Sequence, residues 1–259
     1  MRVILHAGFH KTGTTTLQQG LERNRQILAP HLRIVPRARL APAGHAARAW
    51  SATGAPLELA LLCYELAQVM ERWRDDDPRP VVISCEDLSG HMPGRNGVTS
   101  YAAAAPLMRA VVETLTELHP QARPEVYLST RAPEAWLASV HAQHLRAMRM
   151  TLSAEEFADR HRAAADLDAI ADRIADAMAP APVHRAALEQ CRDRPLGPLD
   201  PLLDLCALPD ATRAALMPQP PANAAVPADC AAGLLALNRS ALNDAEVHAA
   251  KQALLTGQD

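Results

Sequence analysis

Short runs of bulky or β-branched apolar residues recur along the chain, at residues 3–5, 81–83, 126–128 and, more weakly, 182–184. Each is too short for a helix and is bounded by polar or turn-forming residues, which predicts strands buried on both faces. Residues 32–35 offer a fifth strand. Between these runs the apolar spacing becomes helical: Leu17, Leu21 and Leu28 follow the first, and Leu57, Leu61, Tyr64, Ala67 and Met70 precede the second. Residues 106–118 lead as a helix into the third run, and residues 133–148 follow it, with Pro133 suited to a first helical turn. Strands that alternate with helices predict an α/β fold with a parallel central sheet flanked by helices, a three-layer sandwich. Beyond Thr151 the pattern is helical at residues 154–164, 167–178, 231–237 and 244–255, interrupted by a proline-punctuated stretch over 195–227. Residues 75–80 and 90–97 concentrate turn formers and read as surface loops.

Length and composition narrow this picture. A chain of 259 residues at 49% hydrophobic suits one domain spanning 1–259, with a core over about 1–150 and a mostly helical part over about 151–259. The net charge of -3 gives no field to attract a polyanion, so nucleic acid is disfavoured as a partner and any anion must be held by a few placed groups. Cys63, Cys85, Cys191, Cys206 and Cys230 are odd in number and include no C-x-x-C pair, which points to a reducing cytoplasm. The apolar start is too short for a signal-peptide core or a membrane span.

The chemistry concentrates after the first strand. In the segment GFHKTGTTTLQ, Gly8 and Gly13 permit close backbone approach, Lys11 supplies a charge, and Thr12, Thr14, Thr15 and Thr16 crowd the first turn of a helix with hydroxyls. Strand, glycine loop and helix start together form an anion cradle. Capping alone would use one of those threonines. The lysine precedes the second glycine, unlike G-x-x-x-x-G-K-[ST], so this is not a Walker loop. HAGFHKTGTTTLQ closely resembles the 5′-phosphosulfate loop of the sulfotransferases that use 3′-phosphoadenosine 5′-phosphosulfate (PAPS), particularly a group of bacterial sulfotransferase-like proteins. The resemblance implies a P-loop-containing, nucleotide hydrolase-like fold. It implies a donor site at His10, Lys11, Thr12, Gly13, Thr14, Thr15 and Thr16, with Lys11 at the phosphosulfate bridge.

A second motif follows the third strand. Arg131 stands at its carboxyl edge and Ser139 lies eight residues on, a pair able to clamp one phosphate. In the family the 3′-phosphate site is an arginine after a strand, often Arg-x-Pro, and a helical serine eight residues later; Arg131, Pro133 and Ser139 fit it. Asn223, Val226, Leu237 and Asn238 also resemble the tail of the bacterial group, whereas the RKGxxGDW segment of the cytosolic animal enzymes is missing. Glu86, just beyond the second strand, is chosen as the base, with His10 and His91 as rivals and Asp87 expected to point elsewhere. His141, Gln143, His144 and Arg146 could line an acceptor mouth but are also ordinary polar helix positions. No H-E-x-x-H spacing occurs and no metal is implied. The expected activity is sulfuryl transfer from PAPS, leaving 3′-phosphoadenosine 5′-phosphate (PAP), to a hydroxyl or amine of a small molecule, carbohydrate or lipid. Residues 37–56 and 89–106 are read as the acceptor loops. The alternatives are an ATP-dependent P-loop kinase and a nucleotide-binding module without catalysis.

Overall fold

Five strands, β1 (Arg2–His6), β2 (Arg33–Ile34), β3 (Val81–Ser84), β4 (Arg123–Thr130) and β5 (Val183–Ala187), form one parallel sheet in the order β2-β3-β1-β4-β5. The computed structural model describes residues 1–220 and 227–257. Helices α1 (Thr14–Arg23) and α2 (Arg25–Leu28) lead to β2, and α3 (Arg37–Thr53) and α4 (Pro56–Met70) lead to β3. Helix α5 (Ala104–Leu118) leads to β4, and α6 (Pro133–Ala147), α7 (Ala154–His161) and α8 (Leu167–Met178) lead to β5. The short α9 (Asp200–Asp204) and α10 (Asp210–Ala214) follow, then α11 (Ala228–Arg239) and α12 (Asp244–Thr256). All five expected strands are present. No helix among the described residues is long and apolar enough to cross a membrane.

The strands alternate faces as the pleat requires. Val3, Leu5, Val81, Ile83, Val126 and Leu128 enter one core, covered by α3 to α8 and by Leu234 of α11. Ile4, Val82 and Tyr127 enter the other, covered by Leu17 and Leu21 of α1, Leu28 of α2 and Leu196 to Leu216 of the C-terminal segment. Both faces are therefore covered, and the layers are helix, sheet and helix. Asn24 pins the returning chain: its side chain donates to the carbonyl of Met217 and accepts from that residue's N–H, at 2.9 and 2.8 Å.

Two expectations change. Residues 37–56 are not a loop, since α3 occupies most of them and packs Leu40, Ala43, Ala46 and Ala47 into the core. Its apolar face is mostly alanine, and Pro42 and Gly44 stand inside it as apparent breakers, so the sequence carries little helical signal. In α4 the helix is where the spacing put it, but Leu57, Leu61 and Tyr64 face solvent at 78%, 42% and 59% exposure. Leu62, Leu66, Val69 and Met70 form its core face instead. The second expected loop, residues 89–106, follows the 3₁₀ turn at Glu86–Ser89, runs irregularly as far as residue 103 and ends inside the first turn of α5. Within the proline-punctuated stretch, residues 221–226 lie outside the described residues, among them Asn223 and Val226.

Candidate functional site

The loop after β1 is shaped by two left-handed residues, Lys11 at φ 68° and Gly13 at φ 90°, which turn the chain sharply into α1. Three successive carbonyls are tied back to the protein. Thr12 Oγ1 donates to Phe9 O at 2.5 Å, Trp136 Nε1 to His10 O at 2.9 Å, and Arg131 Nη1 to Lys11 O at 3.0 Å. A loop whose carbonyls are turned inward offers its amides to an anion. Gly13 is the N-cap of α1 and has no side chain of its own to cap the first turn, at the helix end where an anion is favoured.

Beneath the loop runs a buried polar chain across three strands. Thr12 Oγ1 lies 2.6 Å from Ser129 Oγ, which lies 3.5 Å from His6 Nε2, and His6 Nδ1 lies 2.8 Å from Ser84 Oγ. Burial pushes the His6 imidazole down to about 4 against the opposing pull of Glu86, so the ring is neutral and serves as a strut. Gly8 makes its close approach here: a Cβ would stand 2.6 Å from Ser129 Oγ and 2.7 Å from His6 Nε2. That approach is inward, toward the strut.

Lys11, Gly13, Thr14, Thr15 and Thr16 line a cleft of about 630 Å³ together with Arg131 and Ser139. The cleft lies over the carboxyl ends of β1 and β4, neighbouring strands whose onward connections leave in opposite directions, to β2 and to β5. Such a switch point leaves a crevice where ligands of open α/β sheets bind. The far wall comes from the chain after β5, with Leu188, Arg192, Leu196 and Pro198. A Cβ on Gly13 would stand 2.8 Å from Leu188 Cδ1 and 3.1 Å from Pro198 Cγ, so this segment closes directly over the loop. Glu189 fastens it to the other side by accepting from the Ala132 amide at 3.2 Å.

The cleft is cationic in a molecule of net charge -3. Lys11, Arg131, Arg146 and Arg192 all line it, and among the described residues none forms an ion pair with a carboxylate. Arg194, also on the wall, is neutralised by Asp204 at 2.7 Å. Burial, reinforced by the like charges of Arg146 and Arg131, lowers the Lys11 ammonium from its ordinary value. Burial likewise lowers Arg131, against the opposing charge of Glu189. An anion bound between them would reverse both penalties.

His10, Thr12 and Glu86 do not line this cleft. His10 is held on both ring nitrogens, 3.0 Å from Tyr101 Oη and 3.2 Å from Asp87 Oδ1. The Thr12 hydroxyl is spent in the strut. Glu86 is 7% exposed, accepts from Gln18 Nε2 at 2.6 Å and lies 3.5 Å from Arg37. Asp87 does turn away, to His10 and to Arg48 of α3. His91 bonds Asn96 at 2.9 Å, with its N–H on the Ser51 hydroxyl. On α6 the four polar candidates divide: Gln143 and Arg146 reach the Lys11 side, while His141 and His144 are buried against Phe157. Arg192 was not singled out from the sequence, because nothing local distinguishes it from the many other arginines.

No group of three His, Cys, Asp or Glu side chains among the described residues is placed to hold a metal ion. The class that fold and cleft define is an α/β protein with a cationic crevice at the switch point of a parallel sheet. The chain has no significant match among protein-family models, curated proteins or solved structures.

Proposed function

We propose that the chain is a PAPS-dependent sulfotransferase with a P-loop-like donor site. The observation that carries this reading is the meeting of both motifs in one cleft: Lys11 and Gly13 to Thr16 from the end of β1, and Arg131 and Ser139 from the end of β4. PAPS offers two anionic ends, a 5′-phosphosulfate and a 3′-phosphate. The cleft offers two cationic ends to match, one at the amide-rich loop and one at Arg131. In the transfer, the sulfur–oxygen bond to the 5′-phosphate breaks and its electron pair stays on the phosphate oxygen, whose charge Lys11 neutralises. The acceptor oxygen forms the new bond to sulfur and its proton passes to a base. Glu86, at the end of β3 beside β1, is the proposed base; since it does not line the donor cleft, the acceptor hydroxyl has to reach it from beside that cleft and replace its contacts with Gln18 and Arg37. The acceptor is a small molecule, carbohydrate or lipid. Five free thiols agree with a cytoplasmic setting.

Thermal melting with PAP tests the reading. At a hundred times its dissociation constant PAP adds about 2.7 kcal/mol, which raises Tm by roughly 5–10 °C for a chain of this size. No shift at saturation sinks the reading, and a larger shift with ATP and Mg²⁺ than with PAP replaces it with the kinase. Turnover of labelled donor, abolished in Glu86→Gln while PAP affinity is kept, separates an enzyme from a binding module.

A further inference from the structure

The wall that α6 presents to the cleft is made of small side chains, Ala135, Ala138, Ser139 and Ala142, and it ends in one long cation, Arg146. Arg146 stands two helical turns past Ser139, so it lies roughly 10 Å from the expected 3′-phosphate position, along the helix. Its surroundings are unusual. One guanidinium nitrogen donates to Gln143 Oε1 at 3.0 Å, and the same oxygen takes Lys11 Nζ at 3.4 Å. Arg146 Nε is buried and has no partner, and among the described residues no carboxylate pairs with this side chain. Two cations thus share one neutral amide oxygen at the loop end of the cleft.

That arrangement is poor for a structural arginine. A neutral carbonyl offsets neither charge, a buried donor is left idle, and each cation raises the cost of the other. It suits a planar fork waiting for an oxyanion with several acceptor oxygens. We infer that Arg146, beside Lys11, holds the transferring sulfuryl group of the donor, whose oxygens take the place of the Gln143 carbonyl. This rests on the sulfotransferase reading and adds a catalytic residue to it. Lys11 serves the phosphate oxygen that keeps the electron pair of the breaking bond. Arg146 serves the sulfuryl oxygens that carry charge throughout the passage from donor to acceptor.

PAP lacks the sulfuryl group and PAPS carries it, so the difference between their affinities isolates the contact. Calorimetric titration of wild type, Arg146→Gln and Arg146→Lys with each nucleotide, alongside melting curves without ligand, reads it out. In Arg146→Gln the affinity for PAPS falls about tenfold or more while that for PAP changes less than about threefold. Arg146→Lys keeps the charge without the fork and lies between, and its PAPS-to-PAP ratio decides the matter if the glutamine variant fails to fold. Parallel losses for both nucleotides, or no loss for either, overturn the inference and leave the sulfotransferase reading standing. Failure of the wild type to bind PAP overturns both.

Discussion

At the scale of single residues, the loop after β1 combines a backbone that resists its own shape with a side chain the rest of the chain avoids. Lys11 holds φ 68°, a region that costs a non-glycine residue on the order of 1 kcal/mol. Lys11 and Lys251 are the two lysines of the sequence, which otherwise uses arginine. A compact ammonium at this one point of the cleft is therefore a choice of chemistry, since a guanidinium would serve general attraction equally well. Gly13 answers to two constraints, its φ of 90° and the contact of Leu188 and Pro198 above it. Gly13→Ala adds the left-handed penalty and pushes the covering segment off the loop, for a loss of at least about 2 kcal/mol. Urea denaturation measures it, and a loss below about 0.5 kcal/mol means the segment moves freely and does not close the cleft. The loop was legible in the sequence because glycine, lysine and threonine act on their own neighbourhood. Arg146 was legible only as a polar position on α6 that could line an acceptor mouth; its place beside Lys11, 135 positions away and joined to it through Gln143, was not.

At the scale of elements, the strands were legible for a physical reason. The middles of β1, β3 and β4 are buried on both faces, so their apolar runs are visible without any partner, whereas β5 is only partly buried and carries an exposed Arg185. The two-residue β2 sits at the sheet edge with one strand neighbour, and its signal was correspondingly weak. Helix α3 was invisible because alanine fills its core face and Pro42 interrupts its second turn. Packing against the core and the 3₁₀ turn at Glu86–Ser89 overrides that local reluctance, and Arg48 adds an ion pair to Asp87. The proline leaves the carbonyl of Ala38 without its helical donor. Since Pro42 is exposed, Pro42→Ala restores that bond without disturbing the core. The expected gain is about 1–2 kcal/mol, net of the entropy the proline removes from the unfolded chain. Calorimetry then finds Tm raised by roughly 2–8 °C, and a lowered Tm shows that α3 needs the proline for its packing.

At the scale of the whole molecule, uncharged imidazoles are built into two of the places where the sheet and its covering helices are pinned. His6 is the centre of the strut under the loop, joining β1 to β3 and β4 through Ser84 and Ser129. His144 joins α6 to the irregular chain after β3 by donating to Pro93 O at 2.8 Å, with Phe157 packed on its edge. Burial pushes both rings down to about 4, for His144 against the favourable Pro93 bond. In the unfolded chain each histidine takes up its proton near pH 6.5, and in the folded one not until about 4. The unfolded state therefore binds more protons across that interval, so stability is complete above about pH 6.5, declines as pH falls toward 4, and levels off below. The decline is on the order of 3 kcal/mol for each ring. Carboxylates enter later: burial alone would raise Asp87, but His10 and Arg48 pull it down to about 2, so its contribution is held above about pH 3.8 and lost as pH falls through 2. Melting temperature followed from pH 8 down to pH 4 should thus fall in a step centred between about 6.5 and 4, well above the range of ordinary carboxylates. His144→Gln keeps a donor for Pro93 and removes one titration, so it should remove one ring's share of that step, to which His91 and His161, also lowered by burial, contribute as well. A profile flat down to about pH 4.5, or one that His144→Gln leaves unchanged, means that these rings reach water and charge without opening the fold.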